Sequence, residues 1–183
     1  MNFEIGKYNI ELQLDETFSL NSVDNINHYQ KVYFDISEYD YPTKIGIKLF
    51  ENKELIKSVL IGSNGGGSGI HTTSQIIEED RIIICCSDTI FCISIPDLAL
   101  KWKTQADQAT CFQIFKKDSN FFIHGEMEIS RIDSNGQLIW QQTGNDIFTT
   151  EKATDNFEIT ETHIRVTDWE NRTYKFDFDG KVI

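Results

Sequence analysis

His124, Glu126 and Glu128 bring an imidazole and two carboxylates within five residues of the chain, and Arg131 follows them. Such groups can act as a general base and a general acid, or they can bind a metal ion through nitrogen and oxygen. In a straight strand the three residues share one face, but Gly125 favours a turn or bulge that separates them. The sequence therefore leaves two interpretations: a small-molecule or metal-dependent site, or a β-turn with solvent-exposed acids and an ion pair between Arg131 and a glutamate.

Further polar positions fall at predicted turns. Asp168, Trp169 and Glu170 form an acid–aromatic–acid sequence after a predicted strand, which either presents the indole as a binding platform or packs it over a neighbouring unit. Asp146 lies between two predicted units and either caps a turn through its side chain or faces a central channel. The candidate binding residues are His124, Glu126, Glu128, Arg131, Asp146, Asp168 and Trp169.

Sequence motifs for catalysis, metal binding or nucleotide binding are missing. No Gly-x-Ser-x-Gly elbow occurs, and the glycine-rich tract lacks the Gly-Lys-Ser/Thr of a phosphate-binding loop. The cysteines lie in apolar runs without Cys-x-x-Cys spacing, which predicts buried, reduced thiols. Adjacent Cys85 and Cys86 are expected on opposite faces of one strand. We therefore predict no catalytic residue, no metal ion and no cofactor.

The chain is strongly acidic, with 17 Lys and Arg against 29 Asp and Glu and a formal net charge of −12. Phosphate backbones and anionic membranes bind basic faces, so this charge argues against nucleic-acid and membrane partners. It is compatible either with simple solubility or with a basic protein partner. No apolar run approaches the ~18 residues of a membrane span. The opening run MNFEIGKYNIELQLDE lacks the pattern of a signal peptide, which predicts a cytoplasmic protein.

Apolar alternation predicts β-structure along the whole chain, in three parts. We expect an N-terminal β segment over 1–61, a glycine-rich loop over 62–72, and blade-like repeats over 73–183 that pack with 1–61 as one unit. The glycine-rich loop is the flexible stretch of the prediction, either a linker or a lid beside a site.

Two local predictions concern the N-terminal segment. Residues 3–14 are expected to form one strand with a bulge at Gly6. Residues 45–50 and 55–61 are expected to form a hairpin with a four-residue loop.

Trp102, Trp140 and Phe176 each close a similar stretch of short β-runs, at intervals of about 35–40 residues, which is typical of propeller blades. The third of these units is predicted to begin with a strand at 146–152. The expected fold is all-β: three four-stranded antiparallel blade-like units, as a partial or small β-propeller, preceded by the N-terminal β-sheet segment. Either that segment closes the ring, or the arc stays open and must cap its edges or dimerise, so a monomer and a homodimer are both expected.

The sequence Asp-Ser-Asn-Gly-Gln-Leu-Ile-Trp at 133–140 resembles the PQQ-like β-propeller repeat, in which a D-x-x-G turn precedes an apolar pair and a tryptophan. The resemblance covers residues 70–183. The first and third units depart from it, with Leu98 and Arg172 at the glycine position and Phe176 at the tryptophan position. The resemblance implies a propeller-like fold but not a quinone cofactor, since quinoprotein dehydrogenases use a far longer chain and a metal site.

Within that class, the runs DLALKWKTQADQATCF, HGEMEISRIDSNGQLIWQQTGNDIF and TDWENRTYKFDFDG resemble a family of small bacterial proteins of unknown function. This resemblance implies a fold and supplies no activity. We therefore expect a bacterial, cytosolic β-repeat protein that acts as a non-catalytic protein- or peptide-binding module. The alternative is a small-molecule or metal-dependent site formed by His124 and the nearby carboxylates.

Overall fold

The protein is an all-β structure of four stacked sheets. A computed structural model describes residues 1–34, 40–150 and 156–183. Within these ranges no helix is long and apolar enough to cross a membrane. The first sheet contains β1 (Asn2–Ile5), β2 (Tyr8–Leu14), β3 (Lys31–Phe34), β4 (Thr43–Glu51) and β5 (Glu54–Ser63). Its spatial order is β1-β2-β4-β5-β3, with β3 parallel to β5 and the other neighbours antiparallel.

The other three sheets are antiparallel meanders, in which the spatial order follows the chain. The second contains β6 (Gln75–Ile77), β7 (Arg81–Cys86), β8 (Thr89–Ser94) and β9 (Leu100–Gln105). The third contains β10 (Cys111–Lys117), β11 (Asn120–Gly125), β12 (Glu128–Asp133) and β13 (Leu138–Thr143). The fourth contains β14 (Phe157–Ile159), β15 (Ile164–Thr167) and β16 (Thr173–Phe176). These sheets are the predicted blade-like units.

Two turns of the first sheet differ from the prediction. Gly6 and Lys7 form a two-residue turn between β1 and β2, so the expected single strand with a bulge is a hairpin. The β4–β5 turn also has two residues, Asn52 and Lys53, where a four-residue loop was expected. Asn52 and Lys53 have φ values of 51° and 69°. Two left-handed residues match the right-handed twist of the paired strands, which allows the shorter turn.

The four sheets stack face to face in chain order, because the side chains of the inner sheets alternate between two cores. On β7, Ile82, Ile84 and Cys86 pack toward the first sheet, whereas Ile83 and Cys85 pack toward the third. The adjacent thiols thus lie on opposite faces, as predicted. Burial raises the pKa of the cysteine thiols, that of Cys86 to about 12, so they stay protonated at neutral pH.

A third core lies between the third and fourth sheets. Its fully buried members are Phe122, Ile129, Phe148, Ile164, Val166 and Phe176. Three cores in series between four sheets mean that the middle sheets are covered on both faces.

An aspartate–glycine turn in the third sheet packs on a tryptophan of the second. Asp133 Oδ1 accepts hydrogen bonds from the backbone N–H groups of Asn135 and Gln137, both at 2.8 Å. Gly136 has a φ of 81° and lies directly against the Trp102 indole, where a Cβ would overlap the ring. Glycine is required there both by its backbone conformation and by the close approach.

The fourth sheet repeats this geometry on the third. Asp177 Oδ1 accepts from the N–H groups of Asp179 and Lys181, both at 2.9 Å, and Gly180 lies against the Trp140 indole with a φ of 82°. Each of these two sheets is therefore fixed to the preceding one by the same turn-on-tryptophan contact.

The last unit is offset from the predicted alignment. Gly180 is the counterpart of Gly136, where Arg172 was expected. Val182 makes an isolated antiparallel bridge to Phe176 and so occupies the position of a fourth strand. Residues 146–150 form no strand, and the rest of the expected 146–152 strand lies outside the described ranges.

Within the described residues no hydrophobic core joins the first sheet to the fourth, so the stack is open. On the fourth sheet Glu158 pairs with Arg165 at 3.0 Å, and their side chains are 52% and 38% exposed. On the first sheet the outer face holds Lys44, a fully buried side chain. Its Nζ donates to the Phe18 carbonyl oxygen at 2.7 Å and pairs with Asp40 at 2.9 Å. Residues 1–61 thus supply one further sheet whose outer face is covered by its own polar loop.

The glycine-rich loop is held against its neighbours. It begins at residue 64, because β5 extends to Ser63. Gly66 donates its N–H to the Ala109 carbonyl at 2.8 Å, and Ser68 donates to Thr43 Oγ1 at 2.7 Å. These hydrogen bonds tie the loop both to the first sheet and to the loop that enters the third.

Gly65→Ala should destabilise the protein by about 1–3 kcal/mol, because the backbone has a φ of 96° and an added Cβ would overlap the Ala109 carbonyl oxygen. Gly67→Ala is the matched control, since an added Cβ there meets nothing within 4 Å; its effect should stay within about 0.5 kcal/mol. Urea unfolding of both variants measures the difference. Equal stabilities would contradict a tightly packed loop.

Candidate functional site

Six connecting segments lie at one end of the stack, which we name the turn end. They are the loops that enter the last three sheets and the central turns of those sheets: 64–74, 106–110, 144–150, 87–88, 126–127 and 168–172. Backbone hydrogen bonds join them. Glu126 donates to the Thr110 carbonyl at 2.8 Å, Phe148 to the Glu126 carbonyl at 2.6 Å, and Trp169 to the Ile147 carbonyl at 2.9 Å.

His124 is buried beneath the turn end. Its Nε2 lies 2.7 Å from the Phe148 carbonyl oxygen, its Nδ1 lies 3.0 Å from the Gln113 side-chain oxygen, and its ring stacks on Phe157 with centroids 4.8 Å apart. Burial lowers the pKa of His124 to about 4, against a smaller raising effect of the hydrogen bond to Phe148. The imidazole is therefore neutral at pH 7.

A neutral imidazole donates one hydrogen bond and accepts another, which fixes its surroundings. Donation from Nε2 to the Phe148 carbonyl leaves Nδ1 as the acceptor. The Gln113 side-chain amide lies 3.0 Å from Nδ1 and 3.1 Å from Thr73 Oγ1, so it links the imidazole to the glycine-rich loop. His124 is thus a structural link between β11 and the loop at Phe148.

The two carboxylates of the predicted cluster have different roles. Glu128 is buried, and its oxygens accept from the amides of Gln108 and Gln141, each at 3.1 Å. Glu126 makes its described hydrogen bonds through the backbone, at the centre of the turn. The hydrogen-bond partners of His124 are Gln113, Phe148 and Asn156, so these contacts do not assemble the predicted acid–base group.

Asp107 organises the turn end and was missed by the sequence analysis. This carboxylate is 1% exposed and accepts four backbone N–H groups. Oδ1 accepts from Ala109 at 2.6 Å and Thr110 at 2.9 Å, while Oδ2 accepts from Met127 at 2.9 Å and Glu128 at 2.8 Å. One side chain therefore sets both the entry loop and the central turn of the third sheet.

Burial raises the pKa of the Asp107 carboxyl, and the four N–H groups offset part of that rise. The available sequence signal was an aspartate in the short polar link between two predicted strands, a position where side chains often cap a turn. Half of its donors come from residues about twenty positions further along, which no local pattern indicates.

Asp168 holds the central turn of the fourth sheet. It is fully buried, and its carboxylate accepts from Arg172 Nε and from the Tyr174 hydroxyl, both at 2.8 Å. Burial acts to raise the pKa of Asp168, but the hydrogen bonds from Arg172 and Tyr174 outweigh it and hold the pKa below its usual range. The Tyr174 oxygen also accepts from the Asn145 N–H at 2.9 Å, and Arg172 lies 3.9 Å from the Asp146 carboxylate. Asp146 and Asp168 are thus brought together around one guanidinium.

Trp169 and Met127 lie exposed on neighbouring central turns. The Trp169 side chain is 50% exposed and Met127 is 38% exposed. This differs from Trp102 and Trp140, whose indoles cover the glycine turns of the next sheet. Trp169 is thus half-exposed on its turn and does not cover a glycine turn of a neighbouring sheet.

Arg131 lies away from the turn end. Its Nη1 donates to the Phe178 carbonyl at 2.7 Å and to Asp179 at 3.3 Å, and its Nε donates to Asn120 at 3.2 Å. It therefore fastens the third sheet to the Asp177 turn of the fourth, and its ion-pair partner is an aspartate instead of the expected glutamate.

The turn end as a whole is a fixed polar framework with two exposed apolar side chains. Within residues 1–34, 40–150 and 156–183, no three His, Cys, Asp or Glu side chains are grouped so that they could hold a metal ion. The carboxylates of Glu128, Asp107 and Asp168 are held by side-chain amides, by backbone N–H groups and by Arg172, respectively.

No protein-family model matches the chain, and no curated protein is significantly similar to it. Solved structures with a similar fold include the computationally designed Ika4 protein, at 12% identity and a TM-score of 0.49, covering 67% of this chain and 78% of that one. The WD40 β-propeller domain of Doa1 has 17% identity and a TM-score of 0.43, covering 71% and 45%. HIRA(644–1017) has 8% identity and a TM-score of 0.49, covering 100% and 52%, so this chain spans about half the length of the last two.

The fold itself defines a coarse class: an all-β protein of stacked, antiparallel, blade-like sheets.

The low pKa of His124 makes the protein less stable in acid. Since the unfolded imidazole has a pKa near 6.5 and the folded one about 4, the unfolded state binds more protons between these values. Stability is thus retained above pH 6.5 and lost as the pH falls toward 4, by about 2 kcal/mol at pH 5. Urea unfolding measures the free energy of unfolding at pH 7.5 and at pH 5. The decrease between the two pH values should be smaller for His124→Gln than for the parent protein. His28→Gln, at an exposed histidine, should leave the loss unchanged; equal losses in all three proteins would contradict a buried neutral His124.

Asp107→Asn should destabilise the protein by about 2–3 kcal/mol, because an amide N–H₂ group would face two backbone N–H groups and leave them without an acceptor. Asp97→Asn, at an exposed aspartate, is the control and should cost under about 0.5 kcal/mol. Thermal unfolding followed by circular dichroism measures both. An Asp107→Asn protein as stable as the control would refute the organising role.

Proposed function

We propose that this protein is a non-catalytic protein-binding module, and that its turn end binds a basic segment of a partner protein. The observation that carries the proposal is the half-exposed Trp169 indole on a turn fixed through Asp168, Arg172 and Tyr174. A large aromatic side chain on an ordered turn is a typical centre of a binding surface.

The ordered turn matters because association has to offset lost freedom of loops and side chains. The backbone N–H of Trp169 donates to the Ile147 carbonyl. On the other side of the turn, the Asp168 carboxylate accepts the backbone N–H of Arg172. Binding at Trp169 therefore orders little that is not ordered already. Met127, on the neighbouring turn, extends the apolar area and adapts its shape to a partner.

Charge favours a basic partner. Glu126 precedes Met127 in the chain and Glu170 follows Trp169. Arg172, the nearby cation, already pairs with Asp168 and Glu170. The chain carries a net charge of −12, which attracts a Lys- or Arg-rich segment over a distance and increases its association rate.

The finer identity of the blades is also a proposal. We infer PQQ-like blades from the Asp133–Gly136 and Asp177–Gly180 turns, because each packs on a tryptophan that closes the preceding sheet. A bacterial, cytoplasmic setting is part of the proposal, supported by the resemblance to small bacterial proteins and by the free, buried cysteines.

The test uses two pools of short synthetic peptides with the same apolar residues, one with Lys and Arg and the other with Asp and Glu at the charged positions. Fluorine NMR of fluorotryptophan-labelled protein reports each indole separately. The basic pool should shift the Trp169 resonance and leave those of Trp102 and Trp140 in place. Trp169→Ala should weaken binding of the selected peptide about tenfold or more.

Leu55→Ala is the control, since Leu55 is as exposed as Trp169 but lies on the β4–β5 hairpin. It should bind the peptide like the parent. Failure of every basic peptide to bind, or unchanged binding by Trp169→Ala, would overturn the proposal.

A further inference from the structure

Two equivalent strands form the outer edges of the second and third sheets. Within the described residues, β9 and β13 are each the last strand of their sheet and are hydrogen-bonded on one side only. Their registers match. Trp102 opposes Cys92 and Trp140 opposes Arg131, and the same one-residue bulge interrupts the pairing just before each tryptophan. Position by position, these two edges can therefore be compared.

The comparison shows that one edge is protected by charge and the other is not. β9 has the sequence LKWKTQ, with Lys101 and Lys103 on either side of its tryptophan, whereas β13 has LIWQQT, with Ile139 and Gln141 at those positions. Lysine on an edge strand opposes pairing with another chain, because a further strand would bury the ammonium group. β13 carries no charged side chain, and Ile139 is 48% exposed.

We propose that β13 is a dimerisation edge, which pairs antiparallel with β13 of a second copy of this chain and joins the two third sheets. This inference does not depend on the function proposed for the turn end. A two-fold axis pairs the strand with itself in reverse, so a residue before the axis opposes the residue the same distance after it. With the axis at the tryptophan, Ile139 of each β13 opposes Gln141 of the other without charge repulsion, whereas self-pairing of β9 would place Lys101 opposite Lys103.

The lack of charge on β13 favours a second copy over a basic partner at this edge. The acids that attract a basic segment lie at the turn end, while β13 has no charged side chain and exposes Leu138 and Ile139. The net charges of −12 on the two copies repel each other, and salt screens that repulsion. The dimer should therefore become more stable as salt is added, which is opposite to the salt dependence of a complex between unlike charges.

Sedimentation equilibrium of the full chain tests the proposal at several concentrations and two salt concentrations. The parent protein should be in monomer–dimer equilibrium, with a dissociation constant that falls as salt is added. Ile139→Lys gives β13 the residue that β9 already has, and should raise the dissociation constant about tenfold or more without lowering the melting temperature. Leu55→Lys, at an exposed leucine away from this edge, should dimerise like the parent.

Amide hydrogen exchange of the unmodified protein locates the interface without any variant. The β13 amides should become more protected as the protein concentration rises, while the β9 amides should not. A parent protein that stays monomeric at high concentration and high salt would overturn the proposal. So would a dimer that survives Ile139→Lys or one whose concentration-dependent protection lies outside β13.

Discussion

A β-sheet with two apolar faces must be covered on both of them, and this constraint determines the architecture of the protein. On β7 every residue from Ile82 to Cys86 is buried, with successive side chains in different cores. Neither face can be left in water, since burial of each large aliphatic side chain contributes about 1.5–3 kcal/mol. Stacking sheet on sheet satisfies both faces, and it ends only where a face is polar, as it is at Arg165 in the fourth sheet.

Between the sheets, local contacts set the relative position of neighbours. The Asp133 and Asp177 turns each seat a glycine on a tryptophan of the sheet before, and Arg131 adds hydrogen bonds to the second of these turns. In the first unit Leu98 takes the glycine position. It keeps a positive φ of 49° and is fully buried in the core shared with the first sheet. A residue with a side chain is accepted there because its neighbour is an aliphatic core and not an indole.

The sequence predicts the strands of the second and third sheets well, because their alternation and turn residues are local properties. It misplaces the last turn for a physical reason. Asp168 accepts the Arg172 N–H, and Asn171 is left-handed with a φ of 64°, so this turn imitates the aspartate–glycine turn at Asp133. Only the packing of Gly180 on Trp140 shows which of the two is the structural counterpart.

The sequence indicates which residues lie in turns, but it does not indicate which side chains are buried or what they bind. Turn residues such as Trp169 and Asp146 are recognisable from their neighbours. The burial of His124 depends on Phe148 and Phe157, which are distant in the chain, and its lowered pKa follows from that burial. Asp107 was missed because its role is set by N–H groups from two separate segments. Reactive-looking residues thus proved to be parts of a framework, while an exposed indole carries the functional argument.

The chain order of the stack has a consequence for synthesis on the ribosome. The first sheet covers its outer face with its own loop, anchored at Lys44, so one apolar face remains for the next sheet to cover. Each later sheet packs on the exposed face of the sheet before it and then exposes one apolar face of its own. The growing chain therefore exposes about one sheet face at any moment, and the polar fourth sheet ends that exposure, which limits the time in which nascent chains can associate wrongly.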